Sequence, residues 1–309
     1  MPGPSDLAVV VCSRDRADML ERSLASIIEA TPGEVEILVV DSASTTTATK
    51  DVAEAVAVQY VRSDVKGLSI ARNLGLESTR REIVLYTDDD CRAVDGWVTS
   101  ILAHFDDESV GAVTGRMLDH TLVDLETGGD RRVRLTRIVS GLDGGHGALM
   151  AFRRSIVQRL GGFDEVLGAG RELAGAEDLD MFCRVLAAGK AIVHDEDSVV
   201  HHVNTREGDA YTALHHGYGL GLGALANKWV RLRLTVGISL SAVLLKRTAL
   251  RAVRNLRHPR RGPAERAMLR GMAAGFLRAA RMRLDGERFV DDHRPPAVTP
   301  VPSGRAAMQ

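Results

Sequence analysis

Apolar residues along this chain follow two rhythms that alternate. Residues 7–12, 35–40, 58–61 and 83–86 are short runs rich in Val, Ile and Leu, with the continuous hydrophobicity of strands covered on both faces. Between them lie stretches of helical spacing. Ala17–Ala30 carries Met19, Leu20, Leu24, Ile27 and Ile28. A second stretch follows the small polar turn SASTTTAT and runs through Ala57, and a third covers residues 69–77. Strands alternating with helices predict right-handed crossovers and an α/β architecture: a mainly parallel sheet with helices on both faces. After Asp95 the pattern is mixed. It predicts a helix over 97–105, a strand over 110–114, a polar Gly-rich loop over 124–129, a strand over 148–152 and a helix over 154–160. The GGFDE turn, a helix over 178–188 and a last strand over 198–202 follow. From about Thr212 the chain reads as helical with a break at 258–263, and RPPAVTPVPSGRAAMQ has the composition of a disordered end.

Composition supports a folded body: 45% of 309 residues are hydrophobic, enough for a sizeable core. The net charge of -1 hides an asymmetry. Residues 228–283 hold fifteen Lys or Arg against one acid, Glu265, so an acidic body carries a basic helical extension. Cys12, Cys91 and Cys183 are odd in number and scattered, which argues against a disulfide framework or zinc knuckle and for a reducing, cytoplasmic setting. The opening MPGPSDLAVVVCS has no basic leader and too short an apolar run for a signal peptide. The longest apolar window, near 236–245, is about half of what a spanning helix needs.

The carboxyl ends of parallel strands form the crevice where α/β sheets bind ligands. Here those ends read Ser13-Arg14-Asp15-Arg16, Asp41-Ser42 and Asp88-Asp89-Asp90. Three adjacent carboxylates repel one another unless a cation or several donors share their charge. Alone, the triad reads as well as an acidic turn or helix cap as it does as a divalent-metal site completed by a diphosphate. KGLSIARNLG, residues 66–75, reads as a surface helix or as a basic loop facing that ligand, with Gly67 permitting close approach and Arg72 and Asn73 reaching toward it. Glu177 and Asp178 open a helix, where acids complement the dipole.

Taken in order, VVVCSRDRADMLERSLASI, EILVVDSAS, KGLSIARNLG, IVLYTDDD, GGFDE, GAEDLDMFCRVLAAG and SVVHH resemble a family 2 glycosyltransferase with the GT-A fold, over about residues 7–202. The resemblance implies a Rossmann-like catalytic domain over 1–210, with a nucleotide-sugar half to about 115 and an acceptor half over 116–210. A basic helical region over 211–290 and a disordered tail over 291–309 complete the expected organisation. It implies an inverting, metal-dependent transfer of a sugar from a nucleotide diphosphate, with a UDP-sugar expected, to an acceptor glycan, lipid-linked sugar or small molecule. Asp178 would be the general base, with Glu177 beside it. Ser13, Arg14, Arg16, Asp41, Lys66, Arg72, Asn73, Asp88 and Asp89 would line the donor. Asp90 and Asp88 would hold Mn2+ or Mg2+ with a histidine from the last strand, His202 ahead of His201. Ala176 stands where the family more often has glycine. Asp143 and His146, in GLDGGHGALM, are candidates for the acceptor side, although a lone His in a Gly-rich loop is more often simply exposed.

Two other functions compete. A sugar nucleotidyltransferase would need a Gly-rich phosphate loop after the first strand, which CSRDR lacks. An inactive surface-binding module would not need Asp90, Asp178 and His202. For the basic amphipathic segments 242–257 and 268–284 the choice is between packing on the body and lying on the inner face of an anionic membrane. Aromatic residues are too few among the cations there to favour nucleic acid. No role is read for YGLGLGALANK, residues 218–228.

Overall fold

The computed structural model describes residues 2–119, 131–203 and 207–303; the Gly-rich loop expected over 124–129 lies outside them. The chain runs β1 Leu7–Ser13, α1 Ala17–Ala30, β2 Glu36–Ser42, α2 Ala48–Ala55, β3 Gln59–Ser63, α3 Leu68–Ser78 and β4 Ile83–Asp88. Next come β5 Cys91–Ala93, α4 Trp97–Leu102, β6 Val110–Asp119, β7 Arg132–Leu135, β8 Leu149–Arg153, α5 Arg154–Arg159, α6 Glu177–Ala187 and β9 Ala191–His202. Helices α7 Gly208–Leu232, α8 Leu234–Arg254 and α9 Arg261–Ala279 follow, then a small hairpin of β10 Leu284–Asp285 and β11 Arg288–Phe289.

The main sheet has the order β3-β2-β1-β4-β8-β6-β9-β5, with β7 also pairing β9. β1 to β4 are parallel neighbours and β8 runs against both β4 and β6. Strand alternation divides the core between the two faces. Val9, Val11 and Leu85 pack under α1 and α4, while Val10, Val40, Val84 and Tyr86 pack with Phe152, Phe163 and Phe182 on the other side. Sequence and structure agree on every strand from β1 to β4.

Two short strands, β5 and β7, escape periodicity because three or four residues cannot show it. β9 is longer than expected at its start because its HDED stretch looks like a loop. Its pairing jumps from Thr114↔His194 to Arg116↔Val199, so the charged residues sit in a bulge. There Asp195 is buried and accepts from His104, Arg132 and the Asp197 backbone. The Pro-rich end, expected to be disordered, runs back over the body as far as it is described. Val298 O accepts from Arg62 at 2.8 Å, Val301 bridges Thr46, and the Ser303 N–H donates to Thr47.

The helical region shares its core with the sheet domain. Lys228 of α7 is fully buried with its Nζ 2.6 Å from Asp164 Oδ2 and 2.7 Å from Asp180 Oδ1, and both acids are fully buried as well. Asp164 belongs to the GGFDE turn and Asp180 to α6, so one ammonium ties three segments together. YGLGLG has its explanation in the same place. A Cβ on Gly223 would lie 2.0 Å from Met272 O, and one on Gly221 2.2 Å from Gly175 O. Gly223 therefore lets α7 cross α9 backbone to backbone, and Gly221 lets α7 press on the loop before α6. Among the described residues, no helix is long and apolar enough to cross a membrane.

Replacing Lys228 with Met should cost about 3–5 kcal/mol, because Asp164 and Asp180 would be left buried without their ammonium partner. Urea unfolding of the full chain measures this.

Candidate active site at the carboxyl ends of the parallel strands

β1, β4 and α3 converge on the acidic triad. Ser13, the last residue of β1, donates from Oγ to Asp89 Oδ2 at 2.7 Å. Arg16 opens α1 with a guanidinium shared between two acids: Nη1 is 2.7 Å from Asp89 Oδ1 and Nη2 is 2.6 Å from Asp90 Oδ2. Asp88, at the end of β4, is reached from the other side by Arg72 of α3, with Nη2 3.7 Å from Oδ1. The crowding of three carboxylates is thus met by two guanidinium groups.

The second acidic pair meets the first at Arg72. That side chain is buried, and its Nη1 lies 2.8 Å from Glu177 Oε1 while Nη2 donates to Gly147 O at 3.2 Å. The opposed charges of Glu177 and Asp88 outweigh the burial and keep Arg72 charged. Asp178 accepts from the Gly147 N–H at 2.9 Å and from the Leu179 N–H at 2.8 Å. Burial, reinforced by the neighbouring Glu177 charge, raises its pKa to about 6. Ala176 precedes the pair with φ 61°, a left-handed conformation that glycine adopts without steric cost.

His202 closes the group from β9. β5 returns antiparallel to β9, pairing Cys91 with His202, and this brings His202 Nε2 to 3.3 Å from Asp90 Oδ1. His201 points to the opposite face by strand alternation and is buried there. Asp90 Oδ1 is buried and makes no well-formed hydrogen bond. Asp88, Asp90 and Cys91 offer ligand atoms within 4.8 Å of one another. Carboxylate and imidazole donors suit Mn2+, and a carboxylate oxygen without a donor is what a cation would complete. The Cys91 thiol is pushed well up by burial, which sets it apart from the ligands that are charged at neutral pH. Burial alone would raise Asp90, but His202 and Arg16 hold it below the usual carboxylate range; burial raises Asp88, and raises Asp89 to about 7.

Other expected donor residues sit apart from this cluster. Asp41 is fully buried and saturated by Tyr60 OH at 2.8 Å, Arg62 Nη1 at 2.9 Å and the Ser44 N–H at 2.7 Å. Asn73 faces the GGFDE turn, exchanging hydrogen bonds with Phe163 and donating to Glu165. Arg14 donates to Ala43 O at 3.2 Å, and the Lys66 stem lies against Gly170.

Sequence reasoning missed Gly147, whose carbonyl and N–H serve Arg72 and Asp178 together. Its signal was the small-residue run GGHG, because side chains would obstruct that approach: a Cβ at 147 would sit 2.9 Å from Arg72 Nη2. The adjoining His146 is exposed, as a lone histidine in a Gly-rich loop is expected to be, and so is Asp143. Desolvation by the protein packed around the loop lowers the His146 pKa, with His194 and His202 adding to the effect. With Arg116, Leu142, Asp143 and His194 it lines a cavity of about 330 Å³ beside the two acidic sets.

The Glycosyl transferase family 2 sequence profile matches residues 8–161. Two curated relatives, the pre-mycofactocin glycosyltransferases of two Mycobacterium tuberculosis strains, are 28% identical over 244 residues, which is 72% of this chain and 48% of each relative. The chain spans about half the length of these relatives. Among solved structures, a mannosyltransferase from Pyrobaculum calidifontis in complex with GDP-Man and Mn2+ superposes with a TM-score of 0.63 at 22% identity, covering 90% of this chain and 89% of that one. GalNAc-T7 with UDP, GalNAc and Mn2+ gives 0.53 at 18% identity, over 65% of this chain and 44% of that one.

The Asp178 carboxyl should titrate near 6 in carbon-detected NMR of the free protein, about two units above an ordinary aspartate.

Proposed function

The chain belongs to the family 2 glycosyltransferases and has their GT-A fold, and on that footing we propose that it transfers a sugar from a nucleotide diphosphate to an acceptor hydroxyl with inversion at the sugar's C1. The observation that carries this reading is Arg72. One buried guanidinium reaches Asp88 at the donor-side triad and Glu177 at the second acidic pair, so the two carboxylate sets are neighbours across a single side chain.

In this proposal Asp88 and Asp90, with His202, hold a divalent ion, Mn2+ by analogy with the two solved neighbours and Mg2+ as the other candidate. When bound, that ion would neutralise the diphosphate oxygens. Ser13 and Arg16 order the triad from the nucleotide side. Asp178 accepts the proton of the acceptor hydroxyl as the oxygen forms its bond to C1 and the bond from C1 to the diphosphate oxygen breaks. Arg72 stays cationic beside the leaving group as negative charge grows there. Asp41 acts through Tyr60 and Arg62 on the shape of the nucleoside pocket rather than through the metal. A UDP-sugar is the proposed donor, and the GDP-Man bound by the archaeal mannosyltransferase makes a GDP-sugar its direct competitor. The acceptor enters over His146 and Asp143, and the reaction is proposed to be cytoplasmic.

Nucleotide release with a panel of UDP-, GDP- and dTDP-sugars tests the reading, and no release with any donor in the presence of Mn2+ would sink it. Asp178→Asn should lower kcat by roughly 10²–10⁴-fold while nucleotide diphosphate binding persists, as measured by calorimetry. Because Asp178 must be ionised to accept a proton, kcat/KM should fall tenfold per unit as pH drops below about 6. Asp90→Ala should abolish the Mn2+-dependent part of nucleotide binding.

A further inference from the structure

Helix α8 has two apolar sides, and the body uses one. Gly237, Leu240, Leu244 and Thr248 are buried, with Leu240 packed against Leu225, Trp229 and Cys183. Leu234, Ile238, Leu245, Val253 and Leu256 are 56–74% exposed. At helical pitch these five share one side, a stripe about six turns long that ends just past the helix. No acid occurs between Leu234 and Arg254.

The cations around the stripe divide into two groups. Arg247 and Arg251 turn to the body, where Arg247 Nη2 lies 2.9 Å from Asp143 Oδ1 and Arg251 Nε lies 3.5 Å from Glu265 Oε2. Lys246, Arg254 and Arg257 are exposed and form no ion pair among the described residues. An exposed apolar stripe bordered by unpaired cations is the pattern of a helix lying in the plane of a negatively charged bilayer surface.

We infer that α8 is a docking surface for anionic phospholipid bilayers, its leucine stripe entering the headgroup boundary and Lys246, Arg254 and Arg257 meeting the lipid phosphates. Charge decides between this occupant and a second copy of the chain, since two copies would bring the same cations together. The described part of the chain's own tail lies elsewhere, against Thr46 and Val65. Spanning is excluded for α8, which is not apolar enough to cross. The contact of Arg247 with Asp143 places the body-facing side of α8 next to the cavity lined by His146, so a chain bound to a bilayer through α8 would hold that cavity within about a helix diameter of the membrane.

The inference does not depend on sugar transfer, and its test needs no donor. The full chain is sedimented with vesicles of phosphatidylcholine alone and of phosphatidylcholine with phosphatidylglycerol. Binding is expected to the anionic vesicles only. Ile238→Ser/Leu245→Ser/Val253→Ser should remove it with an unchanged melting temperature, because these side chains are exposed. Lys246→Gln/Arg254→Gln/Arg257→Gln should weaken it roughly a hundredfold, at roughly fivefold per cation. The Asp178→Asn chain should bind like wild type, which separates this outcome from failure of the catalytic reading. Absence of wild-type binding, equal binding to both vesicle types, or unchanged binding by the serine variant would each overturn the inference. So would a wild-type dimer seen by ultracentrifugation that the serine variant abolishes without any vesicle binding, since the stripe would then belong to a second copy.

Discussion

Concentrating negative charge at the lip of a parallel sheet is tolerable only when it is shared, and this protein shares it through two arginines. Arg16 lies between Asp89 and Asp90, and Arg72 lies between Asp88 and Glu177. Each guanidinium presents its donors in a fixed planar fork, so one side chain serves two carboxylates from separate nitrogens. The consequence is a rigid frame in which one carboxylate oxygen, Asp90 Oδ1, is still left without a hydrogen bond beside His202. The arrangement suits a centre that must take up a cation and a diphosphate together and release them again.

Much of this was legible from the chain, for a physical reason. In a parallel sheet the strand ends gather on one edge, so SRDR, DDD and KGLSIARNLG could be placed together from their order alone. Asp41 and Asn73 could not be judged that way. Asp41 sits at a strand end and Asn73 on α3, both with the right chemistry, but their partners, Tyr60 and Arg62 for one and Phe163 and Glu165 for the other, come from later segments that no local pattern connects to them. The choice between His201 and His202 needed the register of β5 against β9, and β5 is too short to announce itself. Gly147 was invisible for another reason: it contributes backbone groups, and only the absence of a side chain marks it.

The helical region shows how packing can override a reading from composition. Its basic character directs attention to the surface, but its decisive contacts are internal. Glycines on α7 and α9 bring two backbones together, and Gly221 presses on the loop that sets the left-handed turn at Ala176 just before Glu177 and Asp178. The position of the proposed base is therefore supported by a helix more than thirty residues further along the chain. α8 is held in turn by Leu240 beneath Trp229, which leaves its far side turned outward.

The buried ammonium of Lys228 carries one more implication. The segment matched by the family profile closes at residue 161, before both of the acids this lysine neutralises, so the profile leaves out part of the charged interior that α7 completes. A polypeptide stopped after β9 would keep every residue of the acidic triad and the Glu177-Asp178 pair, yet would strand Asp164 and Asp180 in a half-formed interior. The charge balance of the sheet domain's interior is therefore complete only with α7 in place.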